Sequence, residues 1–299
     1  MNYNQLGKSS IQVSQISFGC MSLGPDHTAN ATLLRRALDA GITFFDTADL
    51  YDKGGNEVTV GKALQGRRQE VVLATKVGSQ WRPDGSGWDW NPRKTYMLQA
   101  IEQSLRRLQT DYIDLYQLHG GTLDDPIDET IEAFELLKEQ GKIRAYGISS
   151  IRPSVIREYV RKSSIASVMM QYSLLDRRPE ESCLELLHQH QISVLARGSY
   201  AQGLLVGKPA KPYLTYAPQQ VEQAAAAIRQ VADSLQQTAA EVTVGFVLAQ
   251  PVIASAVLGI RTAEQLDDAI RSGQQVPLST AQLQTLRRAL SPNQYDQHR

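Results

Sequence analysis

Eight short apolar runs recur along this 299-residue chain, and this repeat constrains the fold more than any other feature. They are Ile16–Cys20, Ile42–Asp46, Glu70–Thr75, Tyr112–Leu118, Ala145–Ile148, Ala166–Met170, Ile192–Ala196 and Ala254–Leu258. Continuous apolar runs bounded by turn residues read as strands buried on both faces, the pattern of a parallel sheet. Most run into a polar residue: Asp46, Lys76, His119, Ser149, Gln171 and Arg197, with Gly259 after the last.

Helical periodicity fills most of the gaps. Thr28–Ala40 carries Leu33, Leu34, Ala37 and Leu38 on one side and stops at Gly41. Further helices are expected over Glu57–Leu64, Pro92–Leu108, from a cap at Asp128 to Gln140, from Pro153, from Pro179, and through the Ala-rich stretch to Gln237. Val242–Ala249 is β-branched, but Thr238-Ala239-Ala240-Glu241 precedes it and Pro251 stops it, so it reads as a buried helix. Two more helices close the chain, over Ala263–Ser272 and Thr280–Leu290. A hairpin is expected around Gly7-Lys8-Ser9-Ser10, and long loops over 78–91 and 198–218. Loops of that length are usually functional or disordered; the first holds Trp81, Trp88 and Trp90, all the tryptophans of the chain, which argues against disorder there. Alternating strands and helices with no break in composition predict an α/β protein: one (β/α)₈ barrel domain over 1–299, with an N-terminal hairpin and extra C-terminal helices.

Composition narrows the function. Lysine plus arginine equals aspartate plus glutamate at 31 each, so no net field draws nucleic acid or an anionic membrane. No apolar run approaches the ~20 residues of a membrane-spanning helix, and the N-terminal residues lack the blocks of a signal peptide. Cys20 and Cys183 form no framework and suit a reducing cytoplasm. No HExxH, CxxC or carboxylate cluster suggests a metal, and His188 and His190 do not share a helix face. Oligomeric state leaves no signature in the sequence.

In a barrel the C-terminal strand ends ring one face, where active sites are built. Asp46, Lys76, His119, Ser149, Gln171 and Arg197 would then converge, with Tyr51 on the loop after Asp46. Taken alone, an Asp at a strand end is more often a turn or cap residue, and a His more often a satisfied core residue. Together, a phenol, an ammonium, a carboxylate and an imidazole fit proton donation to an oxygen gaining negative charge. An unperturbed tyrosine has a pKa of about 10, and a close ammonium such as Lys76 lowers it. Asp46 keeps that ammonium charged, and His119 can hydrogen-bond the substrate oxygen. Neither GxGxxG nor GxxxxGK[ST] is present. Ser149 and Gln171 could hold an amide, Arg197 could stack on a ring, and the stretch Gly259-Ile260-Arg261-Thr262 could hold a phosphate.

In order and in combination, several segments resemble the aldo-keto reductase superfamily over essentially the whole chain. They are Leu6-Gly7 with Val13-Ser14, the run from Gly41 to Tyr51 that contains Asp46-Thr47-Ala48, and Ala74-Thr75-Lys76-Val77. The stretch Asp111–His119, Gly147-Ile148-Ser149, Gln171–Arg177 and Gln202–Lys208 complete the set. The resemblance implies a (β/α)₈ barrel that transfers hydride between NADP(H), less often NAD(H), and a carbonyl or alcohol carbon. It implies Asp46, Tyr51, Lys76 and His119 as a catalytic tetrad with Tyr51 the proton donor. Ser149 and Gln171 would lie near the nicotinamide carboxamide, and Arg197, followed by Gly198, at the ring. Gly259, Arg261, Thr262 and Gln265 would handle the adenosine phosphate, and Arg261 with Thr262 favours NADP(H). Ser150 stands where many members have Asn, a change at one position facing the carboxamide. Ala269 stands where many have an Asn that reads adenine, so that hydrogen bond would be missing here or would come from Asp268.

Trp81, Trp88, Trp90 and Tyr213 or Tyr216 are expected to line a mouth for an apolar or aromatic carbonyl compound. Two rival readings remain: a non-catalytic, nucleotide-binding regulatory subunit, and a Schiff-base aldolase using Lys76. The aldolase needs a neutral amine, which an adjacent Asp46 disfavours.

Overall fold

The computed structural model describes residues 1–274 and 276–299. An N-terminal hairpin pairs β1 (Tyr3–Gln5) with β2 (Gln12–Ser14) in antiparallel register. Leu6, Ile11 and Val13 from this hairpin are buried against Phe44, Val72, Ala74 and Leu115, closing the N-terminal end of the barrel with apolar side chains. Gly7 makes the turn at φ +56°, and a Cβ there would stand 2.3 Å from the Ala166 carbonyl oxygen, so only glycine fits.

The barrel follows: β3 (Ile16–Gly19), α1 (His27–Asp39), β4 (Phe44–Asp46), α2 (Gly55–Ala63) and β5 (Val72–Val77). Asp26 caps α1, its Oδ1 accepting from the Thr28 and Ala29 amides at 3.0 Å. Between β5 and α3 (Lys94–Leu108) the expected loop is instead a small antiparallel hairpin, β6 (Ser79–Trp81) with β7 (Trp88–Trp90), in which Trp81 faces Trp88. The Asp-Gly-Ser-Gly stretch Asp84–Gly87 provides its turn.

Then come β8 (Ile113–Leu118), α4 (Ile127–Glu139), β9 (Ile143–Ser149), α5 (Pro153–Lys162) and β10 (Ser167–Gln171). Asp128 is not the cap of α4. It lies inside the first turn and accepts from Lys162 at 2.9 Å, while Pro126 precedes the helix. The helix expected from Pro179 begins as a 3₁₀ turn over Arg178–Glu181, and α6 itself spans Cys183–Gln189. β11 (Ser193–Arg197), α7 (Pro218–Leu235), α8 (Ala239–Leu248), β12 (Ile253–Gly259), α9 (Ala263–Ser272) and α10 (Thr280–Ala289) complete the chain. The β-branched Val242–Val247 segment is helical because a capping box starts it: the Glu241 amide donates to Thr238 Oγ1 and the Thr238 amide donates to Glu241 Oε2.

Eight parallel strands close in the order β10-β11-β12-β3-β4-β5-β8-β9, β9 pairing back onto β10. The result is a (β/α)₈ barrel with surrounding helices. Its main apolar layer lies between strands and helices and runs from Ile16 and Phe18 through Ile148 and Val168 to Leu258. Because all eight strands are parallel, Asp46, Lys76, Ser149, Gln171, Arg197 and Gly259 arrive at one end, with His119 directly after β8.

Candidate active site

That end opens into a cleft of about 1420 Å³. At its base the Lys76 ammonium, 1% exposed, donates to Asp46 Oδ2 at 2.7 Å, to the Thr47 carbonyl at 2.7 Å and to the Tyr51 hydroxyl at 3.3 Å. Gln117 Nε2 donates to the other Asp46 oxygen at 3.3 Å. The Tyr51 ring meets His119 edge-on, with centroids 5.6 Å apart. Strand register explains the convergence: Asp46 pairs with Ala74, two residues from Lys76 on the same face of β5, and Lys76 pairs with Gln117.

Burial sets the electrostatics. It works against the Lys76 ammonium, but Asp46 and the Tyr51 oxygen outweigh it and hold the Lys76 pKa above its ordinary value. The Tyr51 phenol is also raised, by burial first, with Lys76 opposing. This reverses the expected lowering, because the cation only partly offsets the desolvation of a phenolate. Burial and the nearby Lys76 and Arg197 cations push His119 down to about 3, leaving a neutral imidazole. His119 Nδ1 is buried without a hydrogen-bond partner.

Of the remaining sequence candidates, Ser149, Arg197, Gly198, Gly259, Arg261, Gln265 and Asp268 line the cleft. Gln171 and Thr262 lie beside it rather than in its lining. Gln171 packs against Gly198 and donates to the Tyr213 hydroxyl at 3.4 Å, and Thr262 caps α9 by accepting from the Gln265 amide. Trp88 and Trp90 line the mouth, whereas Trp81, Tyr213 and Tyr216 do not. Trp81 instead lies under Lys53, 5.2 Å from its ring centroid, and the Tyr216 hydroxyl donates to the Ser291 carbonyl at 2.8 Å. Trp90 lies across Gly78, where a Cβ would come within 2.6 Å of the indole, and Trp90 Nε1 donates to Asp125 at 2.9 Å. Sequence reasoning missed Met21, Arg152, Ser199 and Lys208 as lining residues. Lys208 closes one of the matching segments and was open to notice. Arg152 offered no signal beyond a basic residue ahead of Pro153.

The cleft suits a dinucleotide. Lys208 and Arg261 join no ion pair among the described residues, leaving both free for phosphate, and Ser199 Oγ is buried without a partner. No group of three His, Cys, Asp or Glu residues that could hold a metal occurs among the described residues, and no helix there is long and apolar enough to cross a membrane.

Residues 15–291 match the model of the Aldo/keto reductase family, and the chain belongs to that family of oxidoreductases. It is 48% identical, over the full length of both chains, to an uncharacterised oxidoreductase, YqkF, of Bacillus subtilis. Among solved structures, the holo form of aldo-keto reductase AKR11C1 from Bacillus halodurans superposes with a TM-score of 0.94 at 46% identity, covering 100% of this chain and 99% of that one. The glycerol dehydrogenase AKR11B4 from Gluconobacter oxydans superposes with a TM-score of 0.88 at 25% identity, covering 98% and 97%.

Proposed function

We propose that the whole chain, residues 1–299, acts as one catalytic unit that reduces aldehyde and ketone carbonyls to alcohols, reversibly, with NADP(H) as the preferred cofactor. The carrying observation is Lys76 Nζ held between Asp46 and the Tyr51 hydroxyl, with His119 edge-on to the same phenol. When bound, the nicotinamide supplies or accepts the hydride. Tyr51 gives its hydroxyl proton to the substrate oxygen as negative charge develops there, and Lys76 stabilises the phenolate left behind. The neutral His119 imidazole can offer an N–H to the same oxygen, fixing its position. Ser149, Gln171, Arg197 and Gly198 would hold the nicotinamide end. Gly259, Arg261, Thr262, Gln265 and Asp268 would hold the adenosine end, together with Lys208. Trp88 and Trp90 favour apolar or aromatic carbonyl compounds. Two buried free thiols, Cys20 and Cys183, are consistent with work in a reducing cytoplasm.

NADPH consumption with an activated aromatic aldehyde tests this reading, wild type beside Tyr51→Phe. Wild-type turnover that falls by roughly 10²–10⁴-fold in the variant, with NADPH binding retained, upholds it. NADPH binding by both proteins with turnover by neither favours the regulatory subunit.

A further inference from the structure

The cleft holds one cation that the proposed reaction leaves unused. Lys76 serves the phenol, Arg197 the ring, and Lys208 and Arg261 the phosphates. Arg152, half-buried in the loop between β9 and α5, also lines the cleft. Its Nη1 donates to the Gly121 carbonyl, two residues beyond His119. Arg152 has no carboxylate within ion-pair distance among the described residues.

Its surroundings are apolar on one side, and the carboxylate near its Gly121 partner, Asp125, is engaged by the Trp90 indole at 2.9 Å and the Thr122 amide at 2.7 Å. Gly120, next to its hydrogen-bond partner, lies against the Trp90 indole, where a Cβ would be 3.5 Å from the ring. Met21, Trp88 and Ile151 line the same cleft and are 67%, 46% and 38% exposed, large values for apolar side chains. The two carboxylates of the lining, Asp46 and Asp268, are already engaged by Lys76 and Arg271. A guanidinium keeps donors in a fixed fork that matches an oxyanion, and such pairs strengthen where indoles exclude water.

We propose that the substrate carries an oxyanion, carboxylate or phosphate, on an apolar body beside its carbonyl, and that Arg152 binds it and sets specificity. This rests on the carbonyl-reductase reading above. Arg152 makes no demand on the hydride or proton transfers; it selects which carbonyl compound is held.

The test compares kcat/KM for 3- and 4-formylbenzoate with their methyl esters, and for 4-formylphenyl phosphate with 4-methoxybenzaldehyde, in wild type, Arg152→Gln and Arg152→Lys. The wild type is expected to prefer an anion by at least about tenfold, chiefly through KM, as a charge-assisted pair implies. The arm with the larger preference identifies carboxylate or phosphate. Arg152→Gln should bring the ratio close to one, while Arg152→Lys, which keeps the charge, should retain part of it. A purely structural role would lower both members of a pair alike. Neutral compounds handled as well as the anions by wild type, or an unchanged ratio in Arg152→Gln, overturns the proposal. If no aldehyde turns over, the reductase reading fails instead, and calorimetric binding of the same anions to the NADPH-loaded chain decides for Arg152. Binding that disappears in Arg152→Gln upholds the pairing; no binding to wild type refutes it.

Discussion

Lys76 Nζ lies 3.3 Å from the Tyr51 hydroxyl and 5.0 Å from the centroid of the same ring, so one ammonium faces both the oxygen and the π-system of the phenol. Burial still outweighs this cation and holds the phenol above its ordinary pKa. With Tyr51 as the proposed proton donor, reduction would need the protonated phenol, so its rate should stay flat up to at least pH 9. Alcohol oxidation by the same proposed route would need the phenolate and should climb with pH over the same range. Lys76→Met removes the opposing charge, which should move that climb to still higher pH and cost about 10²–10⁴-fold in kcat. An oxidation profile in Lys76→Met that coincides with wild type would exclude the electrostatic role.

His119, held near pKa 3, stays neutral across the working range. The pH profile of reduction should therefore show no histidine inflection between pH 5 and 8. An inflection near 6.5 that disappears in His119→Gln would show instead that the imidazole titrates in catalysis. Removing the side chain with His119→Ala should lower kcat by about 10²–10³-fold, the usual effect of losing one donor to a developing oxyanion.

Asp49, two residues before Tyr51, is buried with Oδ1 unpartnered, and its pKa is pushed up to about 8 by burial and by the nearby Glu57. Glu57 itself is engaged, accepting from Arg107 at 2.6 Å and from Thr75 at 2.6 Å. A folded pKa above the unfolded value means the folded state holds the proton longer. This contribution is fully present below about pH 4 and is lost as pH rises through about 8, on the order of a few kcal/mol in all. Asp49→Asn removes the titration, so its melting temperature should gain on wild type by roughly 5–10 °C between pH 5 and pH 9. A difference that stays constant with pH would mean Asp49 does not titrate in that window.

Much of the barrel was legible because its strands are buried on both faces and read as unbroken apolar runs. The hairpin over Ser79–Trp90 was not. Its strands have three residues each and only one partner, so their pairing depends on a neighbour rather than on local pattern. Asp128 resembled a cap by residue type, but α4 starts one residue earlier, after Pro126. Of the five aromatics placed at the mouth, only Trp88 and Trp90 line it, because Lys53 covers Trp81 and the two tyrosines turn to Gln171 and Ser291.

By itself, the sequence determined the barrel, its family, and the convergence of Asp46, Lys76 and His119 at one end of it, with Tyr51 on the loop after Asp46. Periodicity and residue order suffice for that, since a parallel strand delivers its last side chain to a known face. The register that adds Gln117 to Asp46 came from the structure. Only the tertiary structure decided that the Tyr51 phenol is raised rather than lowered, that His119 is neutral, and that Arg152 reaches the cleft unpaired. Each depends on how many atoms exclude water from a group and which charges lie within a few ångströms of it, and segments distant in sequence supply both.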